Sequence, residues 1–156
     1  MQERDYGELA LGGETESGDL DTSFYQWVEN DQGSRWQIQR QFDLEGEAQH
    51  WMSMFTPDQV SGGRPKSCVN TLQQLLTYQR RFVPQASHLN LVPLRNAYLL
   101  IEEDGTIRCV PPDRKYGVDY NIQVDLDISR VDPETGIYTP ASSANEGYWN
   151  RYITSC

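Results

Sequence analysis

The sequence predicts an α+β domain: a small, largely antiparallel sheet of three to five strands with two main helices packed on it. Three observations predict it. Leu91 to Asp113 reads as an apolar strand, a Glu-Glu-Asp-Gly reversal and a second strand stopped by Pro111 and Pro112. Two aromatic-rich runs, Phe24-Tyr-Gln-Trp-Val28 and Arg35-Trp-Gln-Ile-Gln-Arg40, flank a cluster of Asn, Asp and Gly. Between these two hairpins lie two segments whose apolar residues recur at helical spacing.

A chain of 156 residues is about one domain and buries enough surface to fold without disulfide help. Its hydrophobic fraction of 37% is low for that length, which predicts disorder somewhere in the chain. Residues 1–22 contain Glu3, Asp5, Glu8, Glu14, Glu16, Asp19 and Asp21 among several glycines, with no sustained period. They read as a flexible acidic leader, and residues 23–156 as a single α+β domain.

In the first hairpin Tyr25 and Trp27 share one strand face, as do Trp36 and Ile38, so aromatic pairs across the strands are expected to hold it. Asp43 is the expected cap of a helix running to Phe55, with Ala48, Trp51, Met52 and Phe55 as its core face. Thr56-Pro57-Asp58 restarts or ends that path, since proline is acceptable only in a first turn. A loop, Ser61-Gly-Gly-Arg-Pro-Lys-Ser67, leads to a second helix from Ser67 to Phe82 that turns Val69, Leu72, Leu75, Leu76 and Phe82 inward. The loop has glycines before a Lys-Ser pair, but Pro65 stands where a phosphate-binding loop needs glycine, so it is an ordinary loop.

In the second hairpin the near-continuous apolar run after Asn96 suits a strand covered on both faces or lying at the centre of a small sheet, and Asp104-Gly105 supplies the positive φ of the turn. Asn121 to Ile128 alternates Ile122, Val124, Leu126 and Ile128 with polar residues, as a half-buried strand does. The remainder is aromatic and irregular, with a short helix expected near Ser143.

The net charge of −10 argues against whole-surface attraction to nucleic acid or anionic membrane. The cations nevertheless gather in the middle of the chain. Arg80 and Arg81 close the second helix, where positive charge suits the dipole, and Arg95, Arg108, Arg114 and Lys115 surround the second hairpin. Cys68, Cys109 and Cys156 are an odd set without Cys-x-x-Cys spacing, as expected of reduced thiols in a cytoplasmic protein. No apolar run reaches the ~20 residues needed to cross a bilayer.

Chemistry-bearing patterns are sparse. Asp125 and Asp127 form a D-x-D that a strand would place on one side, where two carboxylates could hold Mg²⁺ for nucleotidyl transfer; the competing reading is the solvent face of an amphipathic strand. His50 and His88 have neither a nucleophile context nor a ligand partner at metal-site spacing. No catalytic residue and no cofactor is expected.

The run Leu91-Val-Pro-Leu-Arg-Asn-Ala-Tyr-Leu-Leu-Ile, followed by Asp104-Gly-Thr-Ile, Val110-Pro-Pro-Asp-Arg and Ile122-Gln-Val-Asp-Leu-Asp, resembles the end of the domain that precedes the superfamily 3 helicase in phage and plasmid primase-helicases, a domain named for the similar poxvirus protein. The aromatic segment with Trp27 and Trp36 agrees in outline, so the likeness spans residues 23–128. Ala97 stands where that family has glycine, and no Walker loop follows before Cys156; the expectation is a fragment of a longer replication protein or a free-standing relative.

The resemblance implies a non-catalytic accessory or linker domain of a primase-helicase, contacting a replicative helicase or primase subunit and single-stranded DNA. On physical grounds the candidate DNA contacts are Arg80, Arg81, Arg95, Arg108, Arg114 and Lys115, with Trp36 and Tyr98 as candidate stacking partners. Two alternatives differ in kind. One is an acidic interaction or DNA-mimic protein of a mobile element, working through its leader. The other is a metal-dependent primase-like nucleotidyl transferase using Asp125 and Asp127.

Overall fold

A computed structural model of the chain describes residues 9–59, 63–85 and 90–140. Two three-stranded antiparallel sheets and two helices make an α+β fold, as the sequence predicts. The described residues fall into two compact units, and the chain passes between them more than once. The first unit comprises residues 9–59, 63–85 and 113–121; the second comprises 90–112 and 122–140.

The first unit is built on a meander of β1 (Leu9–Glu14), β2 (Leu20–Asn30) and β3 (Gly33–Gln39) in the order β1-β2-β3. The expected leader is corrected here: residues 9–14 are a strand, with Leu9 and Leu11 at 1% and 0% exposure. Each such leucine contributes roughly 1.5–3 kcal/mol by leaving water, which overrides the local preference of glycines and acids for disorder. Residues 1–8, with Glu3, Asp5 and Glu8, lie outside the described residues.

Helices α1 (Gln41–Phe55) and α2 (Arg64–Tyr78) follow. Leu9, Leu11 and Phe24 join Leu44 of α1 and Val69 and Leu76 of α2 in one core cluster. Helix α1 begins two residues before the expected cap. Arg40 holds the cap position without a side-chain bond, and Asp43 sits in the first turn, bonded to Arg40 Nε at 2.8 Å. The inward ridge of α1 is Leu44, Ala48, Met52, which leaves Trp51 and Phe55 about half exposed. Helix α2 starts at Arg64, before the expected Ser67, because Pro65 fits a first turn, where no amide hydrogen is needed. Leu75, expected inward, is 48% exposed.

Helix α2 ends at Tyr78 in a Schellman arrangement. The amide of Arg80 donates to Thr77 O at 3.0 Å and that of Arg81 to Leu76 O at 2.9 Å. The left-handed position that this closure requires is filled by Arg80, at φ 53°, rather than by glycine. The chain then runs beside β1: Leu11 N–H donates to Arg81 O and Val83 N–H to Leu11 O.

The second unit is a meander of β4 (Leu91–Pro93), β5 (Tyr98–Ile101) and β6 (Ile107–Val110). The strand with the continuous apolar run, β5, is central, as expected, and Gly105 turns at φ +83°. Asn121–Ile128 is not a strand. It makes one bridge just past the end of β4, Leu94 to Ile122, then bends; Leu126 alone of its alternating apolar residues is buried, packing with Leu94, Ala97 and Leu99. Residues 136–138 run beside β6, where Cys109 N–H donates to Gly136 O and Tyr138 N–H to Ile107 O. Both sheets therefore have irregular backbone along both outer edges, which occupies groups that would otherwise template foreign strands. The helix expected near Ser143 lies outside the described residues.

Candidate functional site

The first hairpin forms with an aromatic pair across its strands, Trp27 opposite Trp36. Because the Trp36 amide points outward and donates to Val118 O at 2.7 Å, the two tryptophans are a non-hydrogen-bonded pair, the closer kind. Their rings meet edge to face at 5.7 Å. The indole N–H of Trp36 donates to Arg114 O at 3.0 Å, so this ring anchors the segment 113–121 along β3. Trp36 is 6% exposed. Tyr98 is 0% exposed. Neither expected stacking partner offers a ring face to a base; both are core.

That anchoring sets the position of Arg114 and Lys115, which occupy a turn of 3-10 helix, Arg114–Tyr116, capped by the Asp113 carboxylate on the Lys115 amide at 2.8 Å. Lys115 Nζ lies 5.1 Å from the ring centre of Tyr116. Arg80 and Arg81 are on the same unit, at the end of α2. Arg80 is exposed and serves the helix closure through its backbone.

Arg95 and Arg108 belong to the second unit and are committed to carboxylates. Arg95 Nε donates to Asp125 Oδ1 at 2.8 Å and its Nη2 reaches Oδ2, a bidentate fork. Those hydrogen bonds, and then the positive charge itself, hold the Asp125 carboxyl below the usual aspartate range. Arg108 Nε donates to Glu102 Oε1 at 2.7 Å, which raises the guanidinium pKa further, and its Nη1 donates to Thr135 O.

The D-x-D expectation is corrected by the same geometry. Asp127 is not beside Asp125 on a strand; it caps the 3-10 turn Ile128–Arg130, accepting from the Ser129 amide at 3.1 Å and hydroxyl at 2.6 Å. These bonds, the hydroxyl's foremost, with a further pull from Arg130, lower its pKa. Each carboxylate is thus satisfied by its own neighbours. Among the described residues no group of three or more His, Cys, Asp or Glu could hold a metal ion. His88 lies outside those residues.

Two features escaped the sequence reading. The first is an open cavity of about 150 Å³ in the first unit, bounded by Asp21, Tyr25, Val83, Pro84, Gly117 and Asp119. Burial, then the charges of Asp21 and Asp119, push the Tyr25 phenol above its ordinary pKa. Gly12 is required beside it, since a Cβ there would lie 2.2 Å from Asp21 Oδ2. The cavity can accept a hydrogen-bond donor of positive charge, and its signal in the sequence is only Asp21 and Tyr25 on one face of β2.

The second is the outer flank of α1. Asp43, Glu47, Trp51 and Phe55 follow at intervals of four, so they form one ridge next to the inward one. The Trp51 and Phe55 rings lie 5.0 Å apart, and Met54 on the same flank is 51% exposed. Here the helical period was legible but its phase was not.

No helix among the described residues is long and apolar enough to cross a membrane. Compared with protein-family models and with curated proteins, the chain matches none.

Proposed function

We propose that the chain is a non-catalytic accessory module of a phage- or plasmid-type replication primase-helicase, and that it works in the cytoplasm by holding a helicase or primase subunit rather than by gripping single-stranded DNA. The role comes from the resemblance of the Leu91–Asp127 region to the domain preceding superfamily 3 helicases. The choice of protein over DNA rests on one observation: Arg95 and Arg108 are neutralised by Asp125 and Glu102, and Trp36 and Tyr98 are buried. A strand of phosphates would have to displace two ion pairs and would find no ring from those residues to stack on. The net charge of −10 adds repulsion.

The test is co-elution of the full chain with the superfamily 3 helicase and the primase encoded in the same genome, alongside anisotropy of a labelled oligothymidine. Expected are a stable protein complex and oligonucleotide binding that is weak at low salt and insensitive to Arg95→Ala. No complex with either protein at tens of micromolar overturns the accessory role. Tight, strongly salt-dependent oligonucleotide binding that falls on Arg80→Ala and Arg81→Ala restores DNA as the ligand.

A further inference from the structure

We propose that the open cavity of the first unit binds a primary ammonium group on an alkyl stem, held between Asp21, Asp119 and the Tyr25 hydroxyl. The inference goes beyond the accessory reading and does not depend on it.

Three stretches of the first unit build the cavity. Strand β2 supplies Asp21 and Tyr25, the chain after α2 supplies Val83 and Pro84, and the segment 113–121 supplies Gly117 and Asp119. The ladder between β1 and β2 slips between Leu11 and Gly13, and an irregularity of that kind re-aims a nearby side chain. Asp21 lies across Gly12, whose missing Cβ leaves room for the carboxylate. Its Oδ1 accepts from the Ser23 amide at 2.9 Å, which fixes the group while Oδ2 stays available.

The negative charge there is unmatched. Among the described residues neither Asp21 nor Asp119 forms an ion pair, and the Asp119 carboxylate and the Tyr25 hydroxyl make no hydrogen bond. Gln85, which also borders the cavity, directs its amide nitrogen to Glu14 O at 3.1 Å. After burial, the charges that shift the phenol are those of Asp21 and Asp119, both negative. Three groups with accepting oxygens thus border a space to which the fold brings no cation.

Chemistry selects the occupant. An alkylammonium has three donors and no acceptor, which matches three oxygen-bearing groups, and Val83 and Pro84 give its methylenes an apolar wall. A divalent cation needs a fuller oxygen shell, and among the described residues no group of three or more His, Cys, Asp or Glu offers one. An anion would be repelled by both carboxylates. At about 150 Å³ the cavity takes the end of one chain; pockets for drug-sized ligands start at about 300 Å³. The same ammonium chemistry belongs to a lysine side chain and to a free polyamine.

The test is a nuclear magnetic resonance titration of the full chain with 1,4-diaminobutane and, separately, with Nα-acetyl-lysine methylamide. We expect saturable shifts at the amides of Gly12, Tyr25 and Asp119, with half-saturation at roughly millimolar concentration. Whichever compound half-saturates lower identifies the source, free polyamine or protein side chain. Asp21→Asn and Asp119→Asn should each weaken binding about three- to fivefold, the range of a part-exposed ion pair, and raised salt should weaken it further. Asp31→Asn removes an equal charge from the exposed turn after β2 and should leave binding unchanged. The amide spectrum of each variant checks that it folds; if Asp21→Asn does not, the exposed Asp119 and Tyr25→Phe, which removes only a hydroxyl, carry the test. Tetramethylammonium, which has no N–H to donate, should not shift these amides. Equal binding of tetramethylammonium, equal weakening by Asp31→Asn and Asp119→Asn, or no saturable shift below about 50 mM overturns the proposal.

Discussion

The side-chain amide of Asn96 closes on both backbone groups of Leu126, donating to its carbonyl at 3.0 Å and accepting from its amide at 2.7 Å. An asparagine side chain has the donor and acceptor spacing of a peptide unit, so here it stands in for a strand partner and holds the bent segment after Ile122 against the sheet. This places Leu126 in the core of the second unit.

Asn96→Ala removes both bonds and strands the Leu126 backbone, so a loss of about 2 kcal/mol is expected at roughly 1 kcal/mol per bond. Urea unfolding measures it, and hydrogen exchange at the Leu126 amide should quicken more than that at Leu11. A loss under about 0.5 kcal/mol would mean that Leu126 is held by packing alone.

Arg80 occupies a left-handed position normally given to glycine. Arg80→Gly is therefore expected to leave stability unchanged or raise it by up to about 1 kcal/mol, whereas Arg80→Val should cost more than about 1 kcal/mol because a β-branched residue tolerates that φ poorly. Thermal melts of the two variants in opposite directions would bear this out; parallel shifts would refute it.

Gly33 closes the first hairpin at φ +116°, and a Cβ there would fall 2.4 Å from Asn121 Cγ. Gly33→Ala should destabilise by at least about 2 kcal/mol, from backbone strain and collision together. Adding Asn121→Gly should recover only the collision, less the bond Asn121 donates to Ser34 O at 3.1 Å. Complete recovery in the double variant would show that the backbone conformation costs nothing.

The pH dependence follows from Asp125, whose carboxyl is held below the ordinary aspartate value by Arg95, and from Asp104, Asp127 and Asp132, lowered chiefly by the amide of Thr106, the hydroxyl of Ser129 and the amide of Glu134. A depressed folded pKa means that the unfolded chain takes up the proton first on acidification. The stabilisation is complete above the unfolded aspartate value and is lost as pH falls through it toward the lower folded values. Urea midpoints between neutral and strongly acidic pH should drop over that range, and Asp125→Asn should flatten the drop. A midpoint in the wild-type protein that is level down to the folded values would contradict the ion pair.

What the sequence by itself determined is local. Gly33 and Gly105 sit where the backbone turns with positive φ, and the apolar run after Asn96 is the central strand of its sheet. Turn chemistry and residue period are properties of neighbours along the chain, so both hairpins and both helices were legible. Tertiary structure decided the phase and the partners. It turned Leu44, Ala48 and Met52 inward and left Trp51 and Phe55 on the flank, a rotation of one ridge that helical spacing alone does not specify. It also made a strand of Leu9–Glu14, which glycines and acids disguised, through a ladder to β2 and a core shared with helices more than thirty residues away. Two of the six expected cations, Arg95 and Arg108, were paired with carboxylates and both expected rings were buried in the same way. Whether a ring is a platform or a core residue, and whether an arginine meets phosphate or Asp125, depends on groups distant in sequence that only folding brings within hydrogen-bonding reach.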